Sequence, residues 1–377
     1  MLAKAREQTG IIDIIDSEPE EALNHLLASL NTQAGLSEGG AVAMEDRLLN
    51  LLRNRLRMKR DFRAHPEIDR QQIVRPVIIS GLPRTGSTKV HKMLVASGDF
   101  KYQNFWQGYS LSLRSGNRDE DPAPRIDEAD RQVRWFNTQA PMAASIHEFS
   151  TFEPEEESLV YEHYIGSNYQ QAFSFVPDFL QWQAAQDPAA PIRFIRQGLK
   201  YLQWQFYDGD PRPWILKCPM YPGFEAILAE VFDGATIICT HRRPHDVISS
   251  GASLLHYYHK AHSDADRKQL YGQIMFEGMA MGLENYLNVR DAHPALNILD
   301  VSYTDITKNG GLSMEKIYAK ANMALSDKAR QAMHQWELDN SQHKLGLHKH
   351  SLEEFGITAA MVNTKYARYI ERYGSYF

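Results

Sequence analysis

The chain has 377 residues, 43% of them hydrophobic and 23% charged, a balance that can bury one large core or two modest ones and excludes a disordered chain. A formal net charge of −6 without any basic stripe excludes wholesale nucleic-acid binding. No apolar run approaches the roughly 18 to 20 residues of a membrane helix, and Asp13 and Asp16 interrupt any signal-peptide core, so a soluble cytoplasmic protein without a membrane span is expected.

In chain order, residues 1–75 read as an N-terminal helical subdomain. Leu23, Leu26 and Leu27 lie at helical spacing over 19–29, and Met44, Leu48, Leu51, Leu52 and Leu56 over 43–62. Residues 77–80 form a compact apolar run that reads as the first strand. It feeds a glycine-bounded loop, Gly81-Leu82-Pro83-Arg84-Thr85-Gly86-Ser87-Thr88, which opens directly into a helical pattern over 89–96. A strand, Gly-x-x-x-x-Gly and helix in this order make a phosphate cradle, because backbone N–H groups and the positive end of a helix face an anion. The Walker pattern requires Lys after the second glycine, to reach the β- and γ-phosphates, and Ser87 stands there instead. Arg84 is the loop's one cation. Such a loop suits a donor whose transferred group is short and is not part of a nucleoside triphosphate.

Residues 114–206 read as a long, mostly helical insertion rich in aromatic rings, which would cap the site and shape an acceptor pocket. Within it the polar tract 115–130 reads as a mobile loop. Further strands are expected at 214–217, 235–240 and 296–301, alternating with helices at 223–232 and 271–289. The alternation predicts a three-layer α/β/α fold with a central parallel sheet over 76–377, closed by a C-terminal helical segment. Ligands of such sheets bind at the carboxyl ends of strands. Arg242 follows the end of the strand at 235–240, Pro244 fixes a turn, Asp246 is placed to cap the next helix, and Ser250 lies eight residues beyond Arg242. A planar fork of donors and a hydroxyl suit a phosphate. Cys218 and Cys239 read as buried thiols, and the histidines of the 256–262 run advance around a helix without converging, so no metal is expected.

These motifs resemble the sulfotransferases that use 3′-phosphoadenosine 5′-phosphosulfate (PAPS). Pro83-Arg84-Thr85-Gly86-Ser87-Thr88 is similar throughout to the family's 5′-phosphosulfate loop, and the block 241–250 to its 3′-phosphate motif, placed on Arg242 and Ser250. Trp214-Ile215-Leu216-Lys217-Cys218-Pro219 resembles the Trp-x-Leu-Lys-x-Pro strand end of the sulfotransferase-3 branch. Residues 348–356 resemble its C-terminal segment, with His350 in place of the usual tyrosine and Lys349 available as a cation on the 3′-phosphate side. The resemblance spans roughly residues 76 to 375.

The resemblance implies PAPS as donor, an in-line sulfuryl transfer without metal, and Arg84 beside the bridging oxygen as stabiliser of the leaving phosphate. The acceptor needs a base. His147 precedes the run Glu153-Pro154-Glu155-Glu156-Glu157, an order similar to the branch's His before a Pro-Glu-Glu helix start, and Glu155 or Glu156 is the alternative base or a partner orienting His147. Glu155 and Glu156 equally suit the first turn of a helix on dipole grounds. Lys217 is expected to face the sulfonate or the acceptor. The residues alone leave open a kinase-like phosphotransferase, which lacks the Walker lysine, and an inactive nucleotide-binding module. The acceptor is left among small-molecule, lipid and carbohydrate hydroxyls or amines, and the oligomeric state is open.

Overall fold

Alternate residues of a strand point to opposite faces, and the short apolar runs read above are buried on both, which is the environment of a parallel sheet under helices. The computed structural model describes residues 1–13, 18–146, 149–340 and 350–377. Among them lie six strands, β1 (Val77–Gly81), β2 (Gln103–Asn104), β3 (Pro154–Glu155), β4 (Ile215–Lys217), β5 (Thr236–His241) and β6 (Ile298–Ser302). Four of these build one parallel sheet in the order β4-β1-β5-β6, so the expected parallel α/β architecture is present. The chain divides into two units, one of Met1–Gln72, Gln103–Asp210 and Tyr257–Asp266, the other of Ile73–Tyr102, Pro211–His256 and Arg267–Phe377.

The first unit is helical apart from the β2–β3 pair. Its longest helix, Glu38–Ala64, is capped by Ser37, whose hydroxyl accepts the Gly40 N–H at 3.1 Å and satisfies one of the orphan donors of the first turn. Arg47 of that helix makes a buried ion pair with Glu162 and lies 3.6 Å over the Phe173 ring. The polar tract read as a mobile loop is a loop only as far as Pro122. From Ala123 it is the helix Ala123–Gln139, whose narrow apolar stripe of Ala129, Val133 and Phe136 is enough to seat it. Ahead of that helix, Glu120 accepts the backbone N–H groups of Arg114 and Ser115 at 2.8 and 2.7 Å.

The second unit holds the parallel sheet. One face carries the apolar core, with Thr236, Thr240 and Lys217 at its strand ends: Val77, Ile79, Ile215, Ile238 and Val301 pack against Val90, Met93 and Leu94 of the helix Ser87–Ala96 and against Ile306, Met314, Ile317 and Tyr318. The register sets Ser80 beside Cys239 and Cys239 beside Asp300 on the opposite face. Asp246 does not cap the helix after β5. That helix, Pro244–Lys260, begins two residues earlier, because Pro at the first position has its φ preset and lacks the N–H that would go unpaired. Asp246 sits in the first turn and accepts from Arg243 at 2.8 Å. Among the described residues no helix is long and apolar enough to cross a membrane, and no group of His, Cys, Asp and Glu is arranged to hold a metal ion.

Candidate active site

The loop after β1 takes its shape from two left-handed residues, Arg84 at φ 72° and Gly86 at φ 87°. Left-handed turns of this kind curl a chain so that successive N–H groups face one concavity. Gly86 is required by its φ, and a Cβ there would also crowd the ring of Tyr303 at 3.2 Å. A Cβ on Gly81 would come within 2.1 Å of Thr240 Oγ1, so only glycine lets the loop leave β1 flush with β5. The buried Thr85 hydroxyl lies 2.7 Å from the Leu82 carbonyl and 2.6 Å from Thr240 Oγ1, and its side chain therefore braces the loop from within. Gly86 then leads into the helix Ser87–Ala96, and the N–H groups of Ser87 and Thr88 belong to its first turn.

Arg84 at positive φ is strained for a residue with a side chain, and the second motif holds it there. Arg242 Nη1 donates to the Arg84 carbonyl at 2.8 Å, and Arg84 Nε donates to Ser250 Oγ at 3.1 Å. Two motifs separated by more than 150 residues of sequence therefore form one hydrogen-bonded assembly. The Arg242 guanidinium lies 4.1 Å over the ring of Tyr303, and its Nε, 4.0 Å from Asp246, makes no hydrogen bond among the described residues. A buried donor left over in this way is what an incoming phosphate oxygen would satisfy. From β4, the buried Lys217 brings Nζ to 3.3 Å from Thr88 Oγ1, which sets a third cation at the carboxyl edge of the sheet. His350 Nδ1 lies 2.8 Å from Ser249 Oγ, one residue before Ser250.

In the first unit, Glu155 and Glu156 are buried, but not in a helix. Glu155 pairs with Gln103 in the β2–β3 ladder, and the next helix, Ser158–Glu162, starts only afterwards. The reading of these two as first-turn charges is corrected accordingly: the Glu155 carboxylate accepts the Glu156 N–H at 2.9 Å, and the Glu156 carbonyl accepts from Gln103 at 2.6 Å, bonds that favour the extended ladder over a helical turn. His147 and Lys349 lie outside the described residues. Tyr303 was missed by sequence reasoning. Its signal was its place directly after β6, where the carboxyl-edge rule puts ligand-facing residues.

The arrangement defines a class first: a parallel α/β protein with a phosphate-type loop after one strand and an arginine–serine pair after its neighbour. The chain belongs to the sulfotransferase family, whose model matches residues 76–327. Its fold is that of sulfotransferase STF1 from Mycobacterium tuberculosis H37Rv, with a TM-score of 0.81 at 24% identity over 97% of each chain. It also matches sulfotransferase STF9 from Mycobacterium avium, with a TM-score of 0.84 at 20% identity over 98% of this chain and 95% of that one. No curated protein matches the chain.

Proposed function

We propose that the protein transfers the sulfuryl group of PAPS to a hydroxyl or amine of a small-molecule, lipid or carbohydrate acceptor. The observation that carries this reading is the joined pair of motifs, in which Arg84 is tied through its carbonyl to Arg242 and through its side chain to Ser250. The loop N–H groups of Gly86, Ser87 and Thr88, with Pro83 and Thr85 shaping the turn, suit the 5′-phosphosulfate, while Arg242, Ser250 and Lys349 suit the phosphate on the ribose.

Sulfuryl transfer is an in-line displacement in which negative charge grows on the leaving phosphate, so positioning and electrostatics carry the catalysis. Arg84 is permanently charged and stabilises that charge without giving up a proton. Lys217, held beside Thr88, contributes a second cation to the sulfonate or acceptor side. His147 takes the acceptor proton, with Glu155 or Glu156 as its orienting partner or its substitute.

The test is a thermal-shift panel of 3′-phosphoadenosine 5′-phosphate, AMP and ATP. Ligand that binds only the folded state raises stability with its concentration over its dissociation constant. The bisphosphate is expected to give the largest shift. Equal shifts for AMP and the bisphosphate would remove the 3′-phosphate assignment, and a magnesium-dependent preference for ATP would favour a kinase.

A further inference from the structure

His241 is the last residue of β5, and Arg242 follows it directly. The imidazole is buried, with only 2% of the residue exposed, and both ring nitrogens are engaged. Nε2 lies 2.8 Å from Asp300 Oδ1, and Nδ1 lies 2.8 Å from the Tyr369 hydroxyl. The same Asp300 oxygen accepts from the Tyr286 hydroxyl at 2.6 Å, and its other oxygen accepts from Arg290 at 3.0 Å. Tyr373 stacks on the imidazole with ring centroids 4.2 Å apart.

An ionised carboxylate only accepts, so Nε2 must carry the hydrogen toward Asp300, and in the neutral ring Nδ1 is then left to accept from Tyr369. Burial lowers the His241 pKa although Asp300 works against it, which favours the neutral ring. Hydrogen bonds from His241 and Tyr286 and the charge of Arg290 overcome the upward push of burial on Asp300 and keep it ionised. The chain of bonds therefore runs one way, from Tyr369 to His241 to Asp300, and it permits one tautomer and one ring orientation.

Burying an imidazole, a carboxylate and several hydroxyls carries a desolvation cost that an apolar filling of the same space would avoid. What directional bonds supply in exchange is a fixed geometry, whereas apolar packing tolerates small shifts. The residue that benefits is the next one. Arg242 has a planar fork and must meet both the Arg84 carbonyl and a ligand, so a small rotation of the strand end would misalign it.

We infer that His241 is a positioning residue for donor recognition: Asp300, Tyr369 and Tyr373 hold it so that the end of β5 aims Arg242 at the 3′-phosphate. The C-terminal helix Ala367–Tyr373, remote in sequence from Arg84, Arg242 and Ser250, thereby takes part in reading the donor. The inference rests on the proposed reading of Arg242 as the residue that recognises the ribose phosphate.

Calorimetric titration of parent, Arg242→Ala, His241→Leu and His241→Gln with 3′-phosphoadenosine 5′-phosphate and with AMP tests it. The parent is expected to prefer the bisphosphate, and Arg242→Ala to lose that preference. His241→Leu is expected to weaken bisphosphate binding by about tenfold or more while AMP binding moves by less than about threefold. His241→Gln, whose amide can still donate to Asp300, is expected to recover part of the loss. A His241→Leu protein that melts earlier but keeps the parental bisphosphate-to-AMP ratio overturns the positioning role and leaves the donor reading intact. A parent without any bisphosphate preference overturns the donor reading itself. Should His241→Leu fail to fold, Tyr369→Phe, which removes one bond and no buried volume, carries the same comparison: a selective loss of bisphosphate binding supports the role, and an unchanged ratio overturns it.

Discussion

The two faces of the parallel sheet in the second unit come from the same strands and differ in what they contribute. On one, Val77, Ile79, Ile238 and Val301 belong to the main apolar cluster, and the polar residues Thr236, Thr240 and Lys217 stand only at the strand ends. The other is apolar at its amino end, with Ile78, Ile237 and Ile298, and polar at its carboxyl end, with Ser80, Cys239, His241 and Asp300. Burial of apolar surface is non-directional and supplies stability. Hydrogen bonds have direction, and a buried chain of them decides where a strand end points. The polar half lies beside the loop and Arg242, where geometry matters, and the first face supports the sheet through its apolar middle. Adjacent residues of β5, Ile238 and Cys239, already belong to these two regimes.

The largest expected effect lies at the loop both faces support. Arg84→Ala is expected to lower sulfuryl transfer on the order of a hundredfold to a thousandfold, and bisphosphate affinity by much less, since its charge matters most as the leaving phosphate forms. Steady-state turnover beside calorimetric binding checks this, and unchanged turnover would remove Arg84 from the mechanism.

On the apolar face, Ile238→Ala is expected to lower unfolding free energy by about 2–5 kcal/mol, read by denaturant titration. The folded fraction should keep the parental preference for bisphosphate over AMP. A collapse of that preference would break the distinction between the faces.

The polar face should declare itself in pH dependence. Burial raises the Glu225 carboxyl to about 7, against hydrogen bonds from Ser80 and the Gly223 N–H. A raised folded pKa means that the folded state holds this proton where the unfolded chain releases it. The contribution is therefore full below the unfolded value of 4.5 and fades as pH rises through about 7. Its size is on the order of 3 kcal/mol. In the first unit the sign is opposite. Burial depresses His163 and His262 from 6.5 to about 4, so their contribution is full above 6.5 and is lost as pH falls toward 4. Glu225→Gln is expected to flatten the neutral-side decline of a stability-against-pH curve and leave the acid-side decline in place. A variant curve parallel to the parent's between pH 4.5 and 7 would show that Glu225 is not the group responsible.

The smallest effect is expected at Tyr303, whose ring underlies the Arg242 guanidinium. A cation–π contact of this sort contributes about 0.5–2 kcal/mol, so Tyr303→Leu should weaken bisphosphate binding a few-fold with AMP binding nearly unchanged. Equal loss for both ligands would assign the ring to loop packing against Gly86 instead.

Much of this was legible along the chain. The four strands of the parallel sheet fall within two residues of their expected positions, because each is a short apolar run between turn residues. The helices Glu18–Thr32 and Glu38–Ala64 followed from leucine spacing. Two of the misreadings share a cause, which is that local chemistry was overruled by distant partners. The part of the tract from Ala123 onward looked like a loop because its composition is polar, yet Ala129, Val133 and Phe136 seat it as a helix. Glu155 looked like a helix-start charge, yet Gln103 recruits it into a strand pair.

By itself the sequence determined the loop after β1, bounded by two glycines, and marked Arg84, Arg242 and Ser250, since a strand, Gly-x-x-x-x-Gly and helix and a cation at a strand end are local patterns. Tertiary structure alone decided that Arg242 would hold the Arg84 carbonyl, that Ser250 would take the Arg84 side chain, and that His241 would be locked by Asp300 and a tyrosine from the C-terminal helix. Contacts between residues far apart in sequence leave no periodicity to read. They exist only once the strands have paired and brought their carboxyl ends together.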